Sequence, residues 1–115
     1  MTAQEPRWTV RLTAAAEADF QSIIARTSEH CGDRQASAYA DTLSAAIAAL
    51  SAGPTAIGAR ERREIGRGLF SLHVARGGRN GRHFVLFRVS PAVRLIEILR
   101  LLQDAMDLKL HTPLP

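Results

Sequence analysis

The stretch from Gly66 to Leu102, GRGLFSLHVARGGRNGRHFVLFRVSPAVRLIEILRLL, decides the fold. It holds three runs rich in β-branched, aromatic and aliphatic residues, which favour strands. The runs are Leu69–Arg76, Arg82–Val89 and Val93–Arg100. Between the first two, Asn80-Gly81 predicts a tight hairpin turn, because both residues tolerate positive φ. Pro91 separates the second run from the third, since proline fixes φ and cannot continue a strand. We therefore predict a three-stranded antiparallel meander.

The middle run has apolar residues on both of its faces. Phe84 and Leu86 point one way, and Val85 and Phe87 the other. Such a run indicates a central strand that is covered on both sides. Glu97 is an acid inside the apolar third run, and we expect it to pair with an arginine on a neighbouring strand.

A short strand and two helices precede the meander. The alternation in residues 7–12 predicts a half-buried edge strand, with Trp8, Val10 and Leu12 on its inner face. Thr13 is the predicted N-cap of the first helix. The apolar face of this helix is Ala16, Phe20, Ile23, Ile24, Thr27 and Cys31.

The second predicted helix spans about residues 34–52. Gly32 stops the first helix, Asp33 is expected to cap the second, and Gly53-Pro54 ends it. Its apolar stripe is Ala36, Tyr39, Ala40, Leu43, Ala46, Ile47 and Leu50. Residues 55–67 are predicted to be a connecting loop. The fold class is therefore α+β: an N-terminal strand, an antiparallel helical hairpin, then the three-stranded antiparallel meander.

Length and composition predict a single domain. The chain has 115 residues, of which 46% are hydrophobic, and we assign one domain to residues 1–115 with frayed tails at 1–6 and 111–115. No apolar leader or membrane-spanning run is present in the sequence, so we expect a cytoplasmic protein with no membrane partner. Cys31 is the only cysteine, which excludes an internal disulfide, and we expect it to be a small buried hydrophobe.

The basic residues are concentrated in the second half of the chain. Arginine and lysine total 15, and only Lys109 is lysine. Residues 58–115 hold 11 of the 15 basic residues but only 5 of the 11 acidic ones. Because the guanidinium fork suits carboxylates and phosphates, this half predicts an acidic partner, either nucleic acid or an acidic protein segment.

No spacing in the sequence indicates a metal or cofactor site. The histidines are His30, His73, His83 and His111, and none stands in a metal-type pair, so we expect neither metal nor cofactor. The candidate residues for target binding lie on the meander and are Arg76, Arg82, Arg88, Arg94 and Arg100. A catalytic alternative is RNA cleavage, in which arginines stabilise phosphate charge and a histidine transfers a proton. Its residues would be His83, Arg88 and Arg100.

Several strings in this order resemble the ParE/RelE superfamily of bacterial type II toxins, and the ParE branch most closely. The strings cover about residues 7–110 and are VRLTAAAEADF at 10–20, Ala36…Tyr39…Leu43…Ile47…Leu50 before Gly53-Pro54, GLFSL at 68–72, HFVLFRV at 83–89, and IEILR at 96–100 with MDL at 106–108. The resemblance implies a small toxin that a cognate antitoxin holds inactive. ParE-like members poison DNA gyrase, whereas RelE-like members are ribosome-dependent mRNA endonucleases.

The residues at the end of the chain favour the ParE branch over the ribonuclease branch. The ribonuclease branch typically has a Tyr or His near the C-terminus, but here Gln103 follows the last strand and no Tyr follows Tyr39. We therefore predict a gyrase-inhibiting binding toxin, not an enzyme. The alternatives are a RelE-like mRNA endonuclease and an inactive antitoxin-binding module, because Phe70 stands where ParE-like chains usually carry Arg. The resemblance further implies a toxin–antitoxin hetero-oligomer, in which an acidic antitoxin segment folds on binding.

Overall fold

The computed structural model describes residues 7–55 and 58–105, which form two antiparallel helices packed on one face of a five-stranded mixed sheet. The elements are β1 (Thr9–Leu12), α1 (Ala14–Cys31), α2 (Asp33–Ala49), β2 (Arg60–Glu61), β3 (Leu69–His73), β4 (His83–Ser90) and β5 (Leu95–Gln103). The strand order is β1-β5-β4-β3-β2. The pair β1–β5 is parallel and the other pairs are antiparallel.

The α+β class and the β3–β4–β5 meander are as predicted, but the strand arrangement has two features that the sequence did not reveal. The N-terminal strand β1 lies at an edge, as expected, and it pairs in parallel with the last strand β5. The predicted loop at 55–67 contains the short edge strand β2. Both residues of β2 are charged and exposed, which is typical of an edge strand and hides its pairing from a hydrophobicity pattern.

The segment after β2 covers the sheet face opposite the helices. The Arg62 side chain is only 16% exposed. Its Nε donates to the hydroxyl of buried Ser71 at 2.7 Å, and its guanidinium lies 5.4 Å from the centre of the Phe84 ring. This part of residues 55–67 is therefore a packed element and not the solvated connector that its charges suggest.

The β3–β4 turn lies three residues before the predicted position. Gly77 and Gly78 have φ of 60° and 80°, and the Arg79 N–H donates to the Arg76 carbonyl at 3.1 Å across them. Gly81, in contrast, does not have a positive φ. A Cβ on Gly81 would lie 2.4 Å from Val74 Cγ2, so this glycine is required by close packing and not by turn geometry.

The helix ends follow the capping rules with one correction. Thr13 caps α1, because its hydroxyl accepts the N–H of Ala16 at 3.2 Å. Gly32, with φ of 87°, ends α1 and also serves as the N-cap of α2. The prediction that Asp33 caps α2 was wrong: Asp33 is the first helical residue, and its carboxylate accepts a hydrogen bond from the Ser28 hydroxyl.

The main core lies between the helical hairpin and the sheet. Its fully buried members include Leu43, Leu50, Phe87, Ile96 and Ile98. The middle strand β4 is buried on both faces, as predicted, since Val85, Leu86 and Phe87 have no exposed surface. None of the described helices combines the length and apolarity needed to traverse a bilayer. The predicted frayed tails, 1–6 and 111–115, lie outside the described residues.

The prediction that Cys31 is buried was wrong, because the thiol-bearing residue is exposed at the end of α1. The predicted apolar face of α1 is buried at Ala16 and Ile23 but is no longer covered at Cys31. The helix is longer than the part of the sheet that covers it, so its last turns form the wall of an open cavity.

Candidate functional site

The described residues enclose a cavity of about 360 Å³ between α1 and the end of β5. One wall is a single face of α1, with residues at spacings of three and four. The other wall is the end of β5 together with His83 at the start of β4. The lining residues are Asp19, Ile23, Arg26, Thr27, His30, Cys31, His83, Arg100, Leu101, Leu102 and Gln103.

The cavity exists because β1 is shorter than β5. The β1–β5 pairing ends at Leu12 and Ile98, where the chain turns into α1 through Thr13. The Thr13 N–H and hydroxyl both donate to the Ile98 carbonyl at 3.0 Å, which closes the ladder. Beyond Ile98, β5 continues to Gln103, and none of the described strands lies beside it on the α1 side.

Successive residues at the end of β5 direct their backbone groups alternately toward β4 and toward the open edge. The Asp104 N–H donates to the Arg82 carbonyl at 2.9 Å, so Asp104 and Leu102 direct their backbone groups toward β4. Leu101 and Gln103 therefore direct theirs to the opposite side. The Leu101 N–H donates to the Asp19 carboxylate at 2.9 Å. Among the described residues, the Gln103 N–H and the Leu101 carbonyl have no backbone partner on this side.

A β-bulge sets which β5 side chains face the helices. Leu86 pairs with Arg100 while Phe87 pairs with Ile98, so Leu99 is the extra residue. As a result Ile98 and Leu101, which are three residues apart, both join the core under the helices. Arg100 pairs with Leu86 of β4, and its guanidinium reaches Asp19 on α1.

Asp19 and Arg100 form an ion pair at one end of the cavity. Arg100 donates from Nε at 2.7 Å and from Nη2 at 3.0 Å to the two carboxylate oxygens of Asp19. This bidentate hydrogen bonding raises the pKa of Arg100. The pair joins α1 to β5, and a carboxylate therefore already occupies the fork of Arg100.

His83 is hydrogen-bonded to Tyr39 of α2. Tyr39 Oη lies 2.6 Å from His83 Nδ1 and accepts the Arg82 N–H at 3.0 Å. This hydrogen bond ties the His83 ring to α2. Burial is the main cause that lowers the pKa of His83. Burial also raises the pKa of Tyr39.

A second histidine pair lies at the same end of the sheet. His73 Nδ1 accepts the Ala75 N–H at 3.0 Å, which places the ring proton on Nε2, 3.0 Å from an Asp104 carboxylate oxygen. This hydrogen bond lowers the pKa of Asp104. Half-buried His73 and exposed Asp104 lie at the base of the β3–β4 hairpin.

The cavity combines an apolar floor with a basic rim. Ile23, Leu101 and Leu102 are buried in the floor, and Arg26 and His30 are exposed on the rim. An open strand edge at the floor of such a groove can hydrogen-bond an extended segment as an added strand. The rim favours a segment that carries carboxylates.

The structure does not bring the five predicted target-binding arginines together. Arg100 lines the cavity, and Arg76 and Arg82 lie on the β3–β4 hairpin. Arg88 is on the sheet face opposite the helices, since it alternates with buried Phe87. Arg94 lies at the other end of β4.

Arg94 is held in the left-handed region, with φ of 49°, and its guanidinium is 5.8 Å from the Trp8 ring centre. Of the alternative catalytic set, His83 and Arg100 line the same cavity, whereas Arg88 points to the other face of the sheet. Glu97 pairs as predicted with an arginine on a neighbouring strand, Arg11 of β1, at 2.8 Å.

Sequence reasoning missed Asp19, Arg26 and Tyr39. Tyr39 was assigned to the core stripe of α2, and it does pack beside the core, but its hydroxyl anchors His83. The signal for Asp19 was its position on the apolar face of α1, one residue before Phe20 and four before Ile23. No group of three or more potential metal ligands occurs in residues 7–55 and 58–105.

Comparisons with known proteins agree with this architecture. Among solved structures, the chain is similar to one titled "Chromosomal ParDE TA system from P. aeruginosa", with a TM-score of 0.70 and 19% identity over 86% of this chain and 98% of that one. It is also similar to a chain of the toxin–antitoxin complex RelBE2 from Mycobacterium tuberculosis, with a TM-score of 0.57 and 26% identity over 90% of this chain and 98% of that one. A search of curated proteins found no match.

The family assignment comes from the sequence itself. Residues 10–108 match the family described as "ParE toxin of type II toxin-antitoxin system, parDE". The matched region contains both helices, β3, β4, β5 and the whole lining of the cavity. The chain therefore belongs to the ParE toxin family of type II toxin–antitoxin systems.

Proposed function

We propose that this chain inhibits DNA gyrase and that its cognate antitoxin neutralises it by docking an acidic, extended segment in the cavity between α1 and β5. The observation that carries the docking is the open edge of β5 at Leu101 and Gln103, which faces an apolar floor and a basic rim. Gyrase as the target is supported by membership of the ParE family. Because gyrase acts on the chromosome, we propose a cytoplasmic location.

The docking mode is strand addition. On the edge of β5, the Gln103 N–H is a hydrogen-bond donor and the Leu101 carbonyl is an acceptor. The backbone of an incoming strand can bond to both. Apolar side chains of the segment would cover Ile23 and Leu101, and carboxylates would approach Arg26 and His30. Toxin and antitoxin would therefore form a hetero-oligomer, held together by this groove.

The site chemistry favours binding over catalysis. The His83 ring uses Nδ1 for Tyr39, and the Arg100 fork is occupied by Asp19. Arg88, the third residue of the catalytic alternative, is on the opposite face of the sheet. These three residues therefore do not combine a general base with arginines that could bind the same phosphate.

A second candidate function is RNA cleavage of the RelE type. One specific observation favours it: His83, Arg26 and Arg100 line one cavity, so a ring N–H and two guanidinium groups lie near a common space. The likeness to the RelBE2 complex is compatible with this reading. Under it, His83→Ala abolishes mRNA cutting, whereas a gyrase inhibitor retains its activity in the same variant.

The first experiment is a gyrase supercoiling assay with the purified chain, with and without the product of the adjacent gene. We expect inhibition that a stoichiometric amount of antitoxin relieves. Inhibition would be lost on substitution of the residues that contact gyrase or the DNA bound to it, for which we propose Arg88 and Arg94 together with the hairpin arginines Arg76 and Arg82. Arg100 instead belongs to the antitoxin groove.

The docking mode is tested by two variants of one residue. Gln103→Pro removes the outward N–H without touching the hydrogen bonds to β4, whereas Gln103→Ala keeps that N–H. We expect the proline variant to bind antitoxin at least tenfold more weakly and the alanine variant to bind normally, with gyrase inhibition intact in both. Equal binding of both variants would refute strand addition while leaving the gyrase proposal standing.

Failure of the gyrase assay would direct the search elsewhere. If the chain does not inhibit gyrase but cuts mRNA on ribosomes, the second candidate is correct. If it does neither yet binds antitoxin, the chain is an inactive antitoxin-binding module.

Antitoxin binding itself is checked by thermal unfolding, because a ligand at a hundred times its Kd stabilises the folded state by about 2.7 kcal/mol.

A further inference from the structure

The β3–β4 hairpin, Arg76–Arg82, is basic, and most of its residues are exposed. The sequence RGGRNGR has three arginines and no acidic residue, and the chain from residue 65 to residue 96 has no acidic residue at all. Residues 77–80 and Arg82 are exposed. Among the described residues, a Cβ on Gly77 or Gly78 would meet no atom within 4 Å, so the space beside both glycines is open.

The base of this hairpin is fixed against α2. The Arg82 N–H donates to Tyr39 Oη at 3.0 Å, and Arg79 Nη1 lies 3.4 Å from the Thr42 hydroxyl. Gly81 packs so closely on Val74 and Tyr39 that no side chain fits there. A turn that is held at its base loses little conformational entropy when it binds, which favours a role in recognition.

The composition of the hairpin selects the class of partner. A protein interface depends on buried aromatic or aliphatic anchors, and residues 77–82 have none. Single-stranded nucleic acid is bound mainly by stacking on exposed aromatic rings, which this segment also lacks. The backbone of a duplex, in contrast, is bound by arginines and glycine-rich turns with no apolar contact.

We propose that the hairpin Arg76–Arg82 binds the phosphodiester backbone of double-stranded DNA, with Arg79 and Arg82 as the principal contacts. Asp104 lies at the hairpin base, where its N–H donates to the Arg82 carbonyl, but its carboxylate is bonded to His73. Arg79 and Arg82 are both exposed, and the guanidinium of Arg79 lies beside Thr42 of α2. This binding does not require that gyrase be the target, and on gyrase it would engage the DNA that the enzyme holds.

The test is fluorescence anisotropy with a labelled DNA duplex of about two helical turns. The variant Arg79→Gln/Arg82→Gln is compared with Arg34→Gln/Arg63→Gln, which removes the same charge from exposed sites on α2 and after β2. Each phosphate contact contributes about 0.9 to the salt slope, so at about 50 mM salt each lost contact weakens binding about fifteenfold. We expect the hairpin variant to lose about two units of slope and the control variant much less.

Three results would overturn the proposal. They are no binding of duplex DNA by the wild-type chain at low salt, equal weakening in the two variants, and tighter binding of single-stranded or hairpin RNA than of duplex DNA. Melting curves of both variants verify the fold. A fourth result, loss of gyrase inhibition in the hairpin variant with unchanged DNA binding, would also overturn it, because it assigns these arginines to a protein contact.

Discussion

Replacing Asp19 by alanine removes the side chain that ties α1 to the edge of β5. The carboxylate accepts two hydrogen bonds from Arg100, at 2.7 and 3.0 Å, and a third from the Leu101 N–H at 2.9 Å. Its side chain is 16% exposed, and that of Arg100 is 30% exposed. The variant therefore leaves a mostly buried guanidinium and a strand-edge N–H without their acceptor.

The expected loss follows from these contacts. A hydrogen bond to a charged group contributes about 1.5–3 kcal/mol, but the three bonds share one acceptor and are not additive. Solvent reaches part of Arg100, which reduces the contribution of the ion pair. We expect the free energy of unfolding to fall by about 2–3 kcal/mol and the melting temperature by about 10 °C.

Urea and thermal unfolding, followed by circular dichroism, measure this loss. Glu29→Ala is the matched control, because it removes the same charge from an exposed position on the same helix. Asp19→Asn should lose less than alanine, since its amide oxygen still accepts one hydrogen bond. If Asp19→Ala and Glu29→Ala unfold within about 0.5 kcal/mol of each other, the assignment of a structural clamp to Asp19 is wrong.

Three further outcomes can be measured on the same protein. Gly81→Ala places a Cβ 2.4 Å from Val74 Cγ2 and should destabilise the chain by about 1–3 kcal/mol in urea; an unchanged midpoint would contradict the packing argument. Arg94→Gly should be nearly neutral in thermal unfolding, because relief of positive φ offsets the lost contact with Trp8, whereas Arg94→Val should be clearly destabilised. Because the pKa of His83 is lowered on folding, the unfolded chain binds this proton first, and the free energy of unfolding should fall as the pH drops below about 6.5. That acid loss should shrink in His83→Gln, and the idea fails if the pH profile of this variant matches wild type.

The sequence predicted most of the local structure, because local structure depends on neighbours in the chain. Thr13 caps α1 since a hydroxyl at that position reaches the N–H three residues on. Pro91 ends β4 because its ring fixes φ. The central place of β4 followed from its apolar residues on both faces, and the Arg11–Glu97 pair followed from an acid inside an apolar strand.

The hairpin shows why local signals are sometimes misread. Asn80-Gly81 and Gly77-Gly78 both permit a tight turn, and the sequence favours the first. The chain turns at the second, because Gly81 is needed where α2 presses on the base of the hairpin. The atoms that crowd Gly81 belong to Val74 and to Tyr39, and Tyr39 is more than forty residues away, so no local pattern can detect its contact.

The sequence by itself determined the α+β class, the order of the helices and main strands, and the resemblance to the ParE/RelE toxins. Only the tertiary structure decided that β1 runs parallel to β5 and ends at Leu12, opposite Ile98. Among the described strands, this leaves Leu101 and Gln103 on an open edge. It also separated Arg88 from Arg100 and joined Asp19 to the latter. The physical reason is that side-chain periodicity reports which face of an element is buried, whereas a functional groove depends on where two elements of unequal length stop covering each other.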